Sequence, residues 1–280
     1  MPFYITKSSG KKERFSLKKF KRSLHRAGAK PHLINYIIKE IKKIRPETTQ
    51  QVHEFVTKML HKEARPIAAR YNLKQALIQF GPAGFPFEQF IAQLLKSQGY
   101  TTEINKQVNG KCIWYEIDII ARKENKHYLI ECKFHNRQNM KSDVKVTLYN
   151  KARFDDIHNA WKESEKRDST INHDYHQGWV ITNTKFTSVA EKYGECVGLR
   201  LISWTYPSTG NLPAMIDQLG LHPITALTSL TKKQKQEFLN AGFVLCRDAA
   251  QHKNMFKQFG FSEKKIKQLI AEIKAVCKLD

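Results

Sequence analysis

The stretch YEIDIIARKENKHYLIECKF, residues 115–134, constrains this chain more than any other. Two apolar runs, YEIDIIA and HYLIECKF, flank a short charged turn, which is the pattern of an antiparallel β-hairpin. Both runs are apolar enough to be buried, yet they carry Asp118, Glu131 and Lys133. A charge in a packed interior costs several kcal/mol unless something pairs with it. Either these three groups neutralise one another, or they are built to receive a cation and a substrate.

Alternate residues of a strand share a face, so Glu131 and Lys133 stand together, roughly 7 Å apart along it. Asp118 shares its face with Trp114, Glu116 and Ile120. If the hairpin turns midway between Glu124 and Asn125, Asp118 lies directly opposite Glu131, with Cβ atoms about 5 Å apart. Two opposed carboxylates repel, and a cation is their natural third party. Oxygen-only ligands suit Mg²⁺ or Mn²⁺, which keep waters and bind one or two carboxylates plus substrate phosphate. Such a site can stabilise charge on a phosphodiester and lower the pKa of an attacking water. Lys133 would orient that water or stabilise the transition state. The competing reading is a cross-strand salt-bridge cluster, with Lys133 paired to Glu131 or Asp118 at a partly wet sheet edge.

Charge favours a polyanionic partner. The 280 residues carry 48 Lys and Arg against 26 Asp and Glu, a formal +22, while 41% are hydrophobic. A soluble globular protein this basic points to nucleic acid first and an acidic membrane surface second. Residues 1–80 hold 19 of the Lys and Arg, 5 Glu and no Asp, so most of the excess sits at the N-terminal end. No apolar run approaches the ~20 residues of a membrane span. Five scattered cysteines without a C-x-x-C exclude a zinc ribbon and a disulfide framework, and fit a reducing cytoplasm. His173 and His176 form a lone H-x-x-H, read as surface residues.

Three segments follow from patterning. Residues 1–83 open with a small hairpin broken at SSG, then run through basic helical patterns to the breaker GPAGFP. Residues 84–210 begin with the amphipathic helix PFEQFIAQLLKSQGY, with Glu88 at the edge of its apolar stripe. The two strands, a polar helix near 141–165, the strand GWVITNT, a helix and the strand LRLISW come next. That makes an α/β domain with a mixed sheet flanked by helices. Residues 220–280 read as a small helical domain, with Ser262 as N-cap of its last helix.

The central segment resembles the PD-(D/E)XK nuclease superfamily, and within it the Mrr-like restriction endonuclease branch. FE at 87–88, Asp118, ECK at 131–133 and VITNTKFTSVAEKYGECVGLRLISW carry the likeness, over about 84–206. The resemblance implies a restriction-endonuclease-like fold and metal-dependent hydrolysis of DNA. Metal ligation then falls on Asp118 and Glu131, assistance on Lys133, and the helix acid is Glu88. Where relatives often carry Gln-x-x-x-Tyr on the following helix, this chain has Lys145 and Tyr149.

The N-terminal segment resembles an ATP-cone, the regulatory nucleotide-binding module best known from ribonucleotide reductases. ITKSSGKKERFSLKKFKRSL and the closing ARYN carry that likeness, with Ser8 where the family usually has Arg. It implies ATP or dATP as regulatory ligand, contacted by Lys7, Glu13, Lys19 and Thr49. The competing reading of this segment is a basic bundle that binds DNA and keeps only the cone's fold. The C-terminal FGFSEKKIKQLI weakly resembles a helix-hairpin-helix module, with a plain packing domain as its alternative.

Together these features lead to a cytoplasmic, Mg²⁺- or Mn²⁺-dependent endonuclease acting on double-stranded DNA, as a homodimer or higher oligomer. The alternatives are a non-catalytic nucleic-acid-binding protein that keeps the nuclease fold, or a nuclease for RNA or branched DNA.

Overall fold

The protein's structure is a computed structural model and describes residues 3–7, 10–63, 65–137, 139–167 and 175–279. Ser8 and His173 lie outside the described residues. The chain divides into two compact units, one of Met1–Leu77 with His222–Asp280, the other Ile78–Leu221.

The first unit opens with the hairpin β1 (Tyr4–Thr6) and β2 (Lys12–Arg14), in which Ile5 faces Glu13. Helices α1 (Leu17–Arg26), α2 (Pro31–Ile44), α3 (Thr49–Glu63), α4 (Arg65–Tyr71) and α5 (Leu73–Ile78) follow. Ser16 caps α1 by accepting from Lys19 N at 3.3 Å. Leu24, Ile37, Ile41, Val56 and Leu60 form the fully buried centre of this bundle. The last helical pattern read from this segment, IAARYNLKQALIQF, is split between α4 and α5 at Asn72.

The second unit starts with α6 (Phe85–Lys96), whose Phe87, Phe90, Ile91, Leu94 and Leu95 are buried as the amphipathic pattern requires. Then come β3 (Thr101–Asn109), β4 (Trp114–Lys123), β5 (Lys126–Lys133), β6 (Lys141–Ser142) and α7 (Val144–Arg167). The unit ends with β7 (Tyr175–Thr182), β8 (Lys185–Phe186), α8 (Ser188–Cys196), β9 (Arg200–Ile202) and α9 (Leu212–Leu219). Five strands form one mixed sheet in the order β3-β4-β5-β7-β9, and β6 with β8 forms a small parallel pair. The β3, β4 and β5 pairings are antiparallel; β5–β7 and β7–β9 are parallel. Ile117, Ile120, Leu129, Val180 and Leu201 pack with Phe154 and Ile157 of α7. Helix α6 packs against β3, β4 and β5.

The hairpin register follows from its turn. Glu124 and Asn125 have φ of 52° and 63°, and they join Lys123 to its partner Lys126. Two successive left-handed residues make the tight turn that matches strand twist. Pairing then runs in step to Ile119 opposite Ile130, and just beyond it Cys132 N of β5 donates to Asp118 Oδ2.

A 3₁₀ turn (Ile224–Ala226), α10 (Lys232–Asn240), α11 (Cys246–Gln251), α12 (Lys253–Gln258) and α13 (Glu263–Cys277) complete the first unit. Ser262 caps α13, accepting from Lys265 N at 3.3 Å. The region around DAAQHKNMFKQFG, read as one helix, is two short ones that meet at His252. The ends of the chain, read as separate segments, share this unit because α13 lies against α4. Arg70 Nη1 donates to Ala275 O at 3.0 Å, and Thr225 Oγ1 donates to Ala76 O at 2.7 Å. Among the described residues no helix is long and apolar enough to cross a membrane.

Candidate active site

The β4–β5 hairpin, the start of α6 and the first half of α7 bring a set of charged groups together at the ends of the central strands. Asp118 Oδ2 accepts a hydrogen bond from Cys132 N at 2.7 Å, which ties the carboxylate across to β5. Glu131 lies beside it, half-buried, and Glu88 reaches in from the first turn of α6. Burial, the Glu131 charge and the Glu88 charge together push the Asp118 carboxyl up to about 7. Burial and Glu131 likewise raise Glu88, while a hydrogen bond from Asn105 works the other way. Asp118 and Glu88, both raised by burial and by the charge of Glu131, make the cluster electrostatically unfinished.

One cation in this site belongs to the protein and was not legible in the sequence. Arg153 of α7 is 7% exposed, and its Nη1 donates to Glu131 Oε2 at 2.8 Å. Its Nη2 donates to the Glu116 carbonyl and its Nη1 also to Asn150 Oδ1. The guanidinium lies 5.2 Å from the ring centroid of Tyr149, one helical turn earlier, and 5.8 Å from that of Tyr115. Tyr149 therefore reaches the site by shelving this arginine, whereas Lys145 stands exposed near the start of α7. The only sequence signal for Arg153 is its i+4 spacing from Tyr149, a weak one in a 24-residue helix.

Lys133 ends β5 and is exposed, with no ion pair among the described residues. The salt-bridge cluster that competes with a catalytic reading therefore forms at Glu131 through Arg153, and Lys133 takes no part in it. Beyond Lys133 the chain is clamped: His135 N donates to Asn183 Oδ1, and Asn183 Nδ2 donates to His135 O, both at 2.8 Å. That closed pair fixes where the strand ends and hence where Lys133 begins its reach.

Asn105 is the second residue the sequence did not flag. Ile104 pairs with Ile119 and Lys106 with Ile117, which leaves Asn105 facing Asp118. Its φ is 51°, a left-handed conformation that asparagine tolerates better than most residues. Among the described residues no three His, Cys, Asp or Glu side chains are arranged to hold a metal by themselves. A divalent cation here would draw on Asp118, Glu131 and the oxygens of water or substrate, a mode common for Mg²⁺.

The N-terminal set is built differently. Lys7 Nζ meets Glu13 Oε2 at 2.7 Å at the surface. The hydrogen bond from Lys7, with the charges of Lys7, Lys19 and Lys11, lowers the Glu13 pKa. Thr49 is the first residue of α3, directly after the Glu47–Thr48 pair that bonds Thr6: Thr6 N donates to Glu47 O at 2.7 Å. At the hairpin's open end, Phe3, Phe15, Arg14, Lys42 and Arg45 line a cleft of about 620 Å³.

An uncharacterized protein of Archaeoglobus fulgidus is 37% identical over 187 residues, which cover 66% of this chain and 99% of that one. Residues 222–277 match the family described as AF1548-like, C-terminal. The chain belongs to the AF1548-like family. The crystal structure of AF1548, a protein of unknown function, aligns with 71% of this AF1548-like chain and all of its own length. The identity is 35% and the TM-score 0.54. Residues 83–154 match the restriction endonuclease family, a span that includes Glu88, Asp118, Glu131, Lys133 and Arg153. The mixed sheet with its flanking helices is accordingly a restriction-endonuclease-like fold. The MspJI restriction endonuclease, in complex with a 27-mer oligonucleotide, aligns over 62% of this chain and 35% of its own, at 11% identity and TM-score 0.34.

Proposed function

We propose that this protein is a metal-dependent DNA endonuclease that hydrolyses phosphodiester bonds at Asp118, Glu131 and Lys133. The observation that carries the reading is the convergence of Glu88, Asp118 and Glu131 on one partly buried spot with a single fixed guanidinium. That arrangement leaves negative charge which a divalent cation relieves, and the donors are all carboxylate oxygens, as Mg²⁺ or Mn²⁺ prefers. The chemistry such an ion supplies is Lewis-acid neutralisation of the phosphodiester and activation of water. In this reading Asp118 and Glu131 hold the cation, and Arg153 fixes the rotamer of Glu131. Glu88 orients the attacking water. Lys133, exposed at the strand end, donates to the phosphate oxygens as charge builds on them.

The restriction endonuclease match supports DNA as the polymer, and the formal charge of +22 suits it. Cutting both strands of a duplex, in a restriction or defence role, fits a homodimer. ATP or dATP at Lys7, Glu13, Lys19 and Thr49 would regulate the enzyme, the lysines neutralising its phosphates.

The test is plasmid cleavage by the purified chain with Mg²⁺ or Mn²⁺, with and without ATP or dATP. Asp118→Ala and Lys133→Ala are each expected to slow cutting by at least about 100-fold. Wild-type cutting no faster than Asp118→Ala under every condition ends the catalytic reading. One observation favours a second reading, a nucleic-acid-binding protein that keeps the fold without the chemistry: Glu131 already has a partner in Arg153. That reading predicts salt-sensitive DNA binding that survives loss of both carboxylates.

A further inference from the structure

The turn between β3 and β4 carries Ile113 and Trp114 side by side, 59% and 66% exposed. Two large apolar side chains held in water at one hairpin tip are costly to the free protein. The turn is also fastened. Gly110 N donates to Ile113 O at 2.9 Å and Lys111 N to Asp156 O at 3.2 Å, and Cys112 N donates to the Asp156 carboxylate. Lys111 Nζ meets Glu163 of α7 at 2.6 Å. A Cβ on Gly110 would come within 2.2 Å of Asp156 Oδ2 and 2.9 Å of the Ile113 carbonyl, so the turn is closed around a glycine. The indole is presented on a braced support.

Its direction matters as much as its exposure. Tyr115 and Ile117 pack toward α7, so Trp114 and Glu116 project from the opposite, open face of β4. On β3, Asn109 stands opposite Trp114 and Gln107 opposite Glu116, both exposed, and Gln107 Nε2 donates to Glu116 Oε2 at 3.3 Å. Further along β3, Asn105 faces Asp118, beyond the point where alternation breaks, since Ile117 and Ile120 both pack with α7. Asp118 is four positions along β4 from Trp114, about 13 Å.

We propose that Trp114, with Ile113 beside it, is a stacking platform for unpaired bases of the substrate strand next to the scissile phosphate. The substrate class this assigns is DNA with a single-stranded tail, flap or fork at the cut. An indole bordered by the amides of Gln107 and Asn109 suits bases, which stack on aromatic faces and bond through their edges. Within a fully paired duplex the base faces are covered, and only the terminal pairs offer the indole a face to stack on. The inference rests on the nuclease reading of the adjoining site.

The experiment measures binding of full-length protein, in EDTA, to a fluorescent blunt duplex and to the same duplex carrying a single-stranded tail. Loss of Trp114 is expected to weaken the tailed substrate roughly tenfold or more, the range found for aromatic-to-alanine changes at stacking sites. Trp114→Phe should restore most of that, and the blunt duplex should change far less. Equal binding of both substrates by wild type and Trp114→Ala overturns the inference, and if the wild type still cuts DNA the nuclease reading survives it. A tail-dependent loss in a protein that cuts nothing supports the platform and ends the nuclease reading instead. If Trp114→Ala turns a dimer into a monomer and leaves tail binding intact, the patch belongs to a second copy of the chain and the inference is overturned.

Discussion

Glu13 and Asp118 make a useful pair. Each is an acid on one strand of a β-hairpin, and each has lysine close by in the sequence. Glu13 is at the surface, bonded to Lys7 at 2.7 Å, and its pKa is lowered. Asp118 sits among Glu131, Glu88 and buried apolar groups, and its carboxyl is pushed up to about 7. The residue types are alike; burial makes the difference. Water and Lys7 satisfy Glu13, whereas Asp118 has surrendered water and gained two like charges. A resolved ion pair asks for nothing more, and an unresolved carboxylate cluster invites a ligand.

The contrast breaks most sharply at Arg153. Its guanidinium is the buried counter-charge to Glu131, so Arg153→Leu should cost about 3–5 kcal/mol, the usual penalty for stripping one partner from a buried pair. Arg153→Lys should cost less, because a point charge remains without the fork geometry. Trp114, Trp161, Trp179 and Trp204 all lie within residues 78–221. Urea unfolding followed by tryptophan fluorescence therefore reports on this unit alone. An Arg153→Leu protein as stable as wild type would mean Glu131 is not held as a charge, and the contrast with Glu13 would collapse.

Asp118→Asn tests the other side of the same cluster and should have the opposite sign. A carboxyl raised from 3.8 to about 7 binds its proton more tightly folded than unfolded. Its favourable contribution is therefore complete below the unfolded value and fades as pH rises through about 7. Above that pH the folded protein carries a charge it does not tolerate. In EDTA at pH 8, Asp118→Asn should be more stable than wild type by roughly 2–4 kcal/mol. The gap should close as pH falls below 4, where both side chains are neutral. Mg²⁺ should narrow the gap at pH 8, by stabilising the carboxylate but not the amide. A pH-independent gap would assign the effect to packing.

How much of this the sequence disclosed follows from the range of the interactions. The hairpin register as far as Ile119 opposite Ile130 was legible because a two-residue turn at Glu124–Asn125 fixes the pairs above it. The stripe of α6 was legible for the same local reason. Arg153 was not, since it lies 22 residues from Glu131, and only the packing of α7 on the sheet makes it a partner. Asn105 was hidden because a left-handed residue inside a strand leaves no mark in a hydropathy pattern. The joining of the chain's two ends depends on contacts such as Arg70 with Ala275, 205 residues apart, and no periodicity reaches that far. Local geometry can be read, whereas long-range partners must be seen.

The smallest effect on stability belongs to the exposed pair, and its use lies in what it isolates. Glu13 carries a lowered pKa, so its contribution exists above the unfolded value and is lost as pH falls through the folded one. A surface ion pair between solvent-screened groups is too weak to move Tm measurably in either Glu13→Gln or Lys7→Ala. A nucleotide bound there would be a different matter, because saturating ligand stabilises the folded state by about 2.7 kcal/mol at 100 times its Kd. Calorimetry with millimolar ATP or dATP should raise the Tm of the wild-type transition belonging to this tryptophan-free unit. Lys7→Ala and Glu13→Gln should abolish that rise while keeping the ligand-free Tm. Equal rises in all three proteins would move the nucleotide elsewhere. No rise in wild type would leave the lysines of this hairpin to DNA, and the exposed pair would then be only what its lowered pKa describes, a satisfied ion pair on a basic surface.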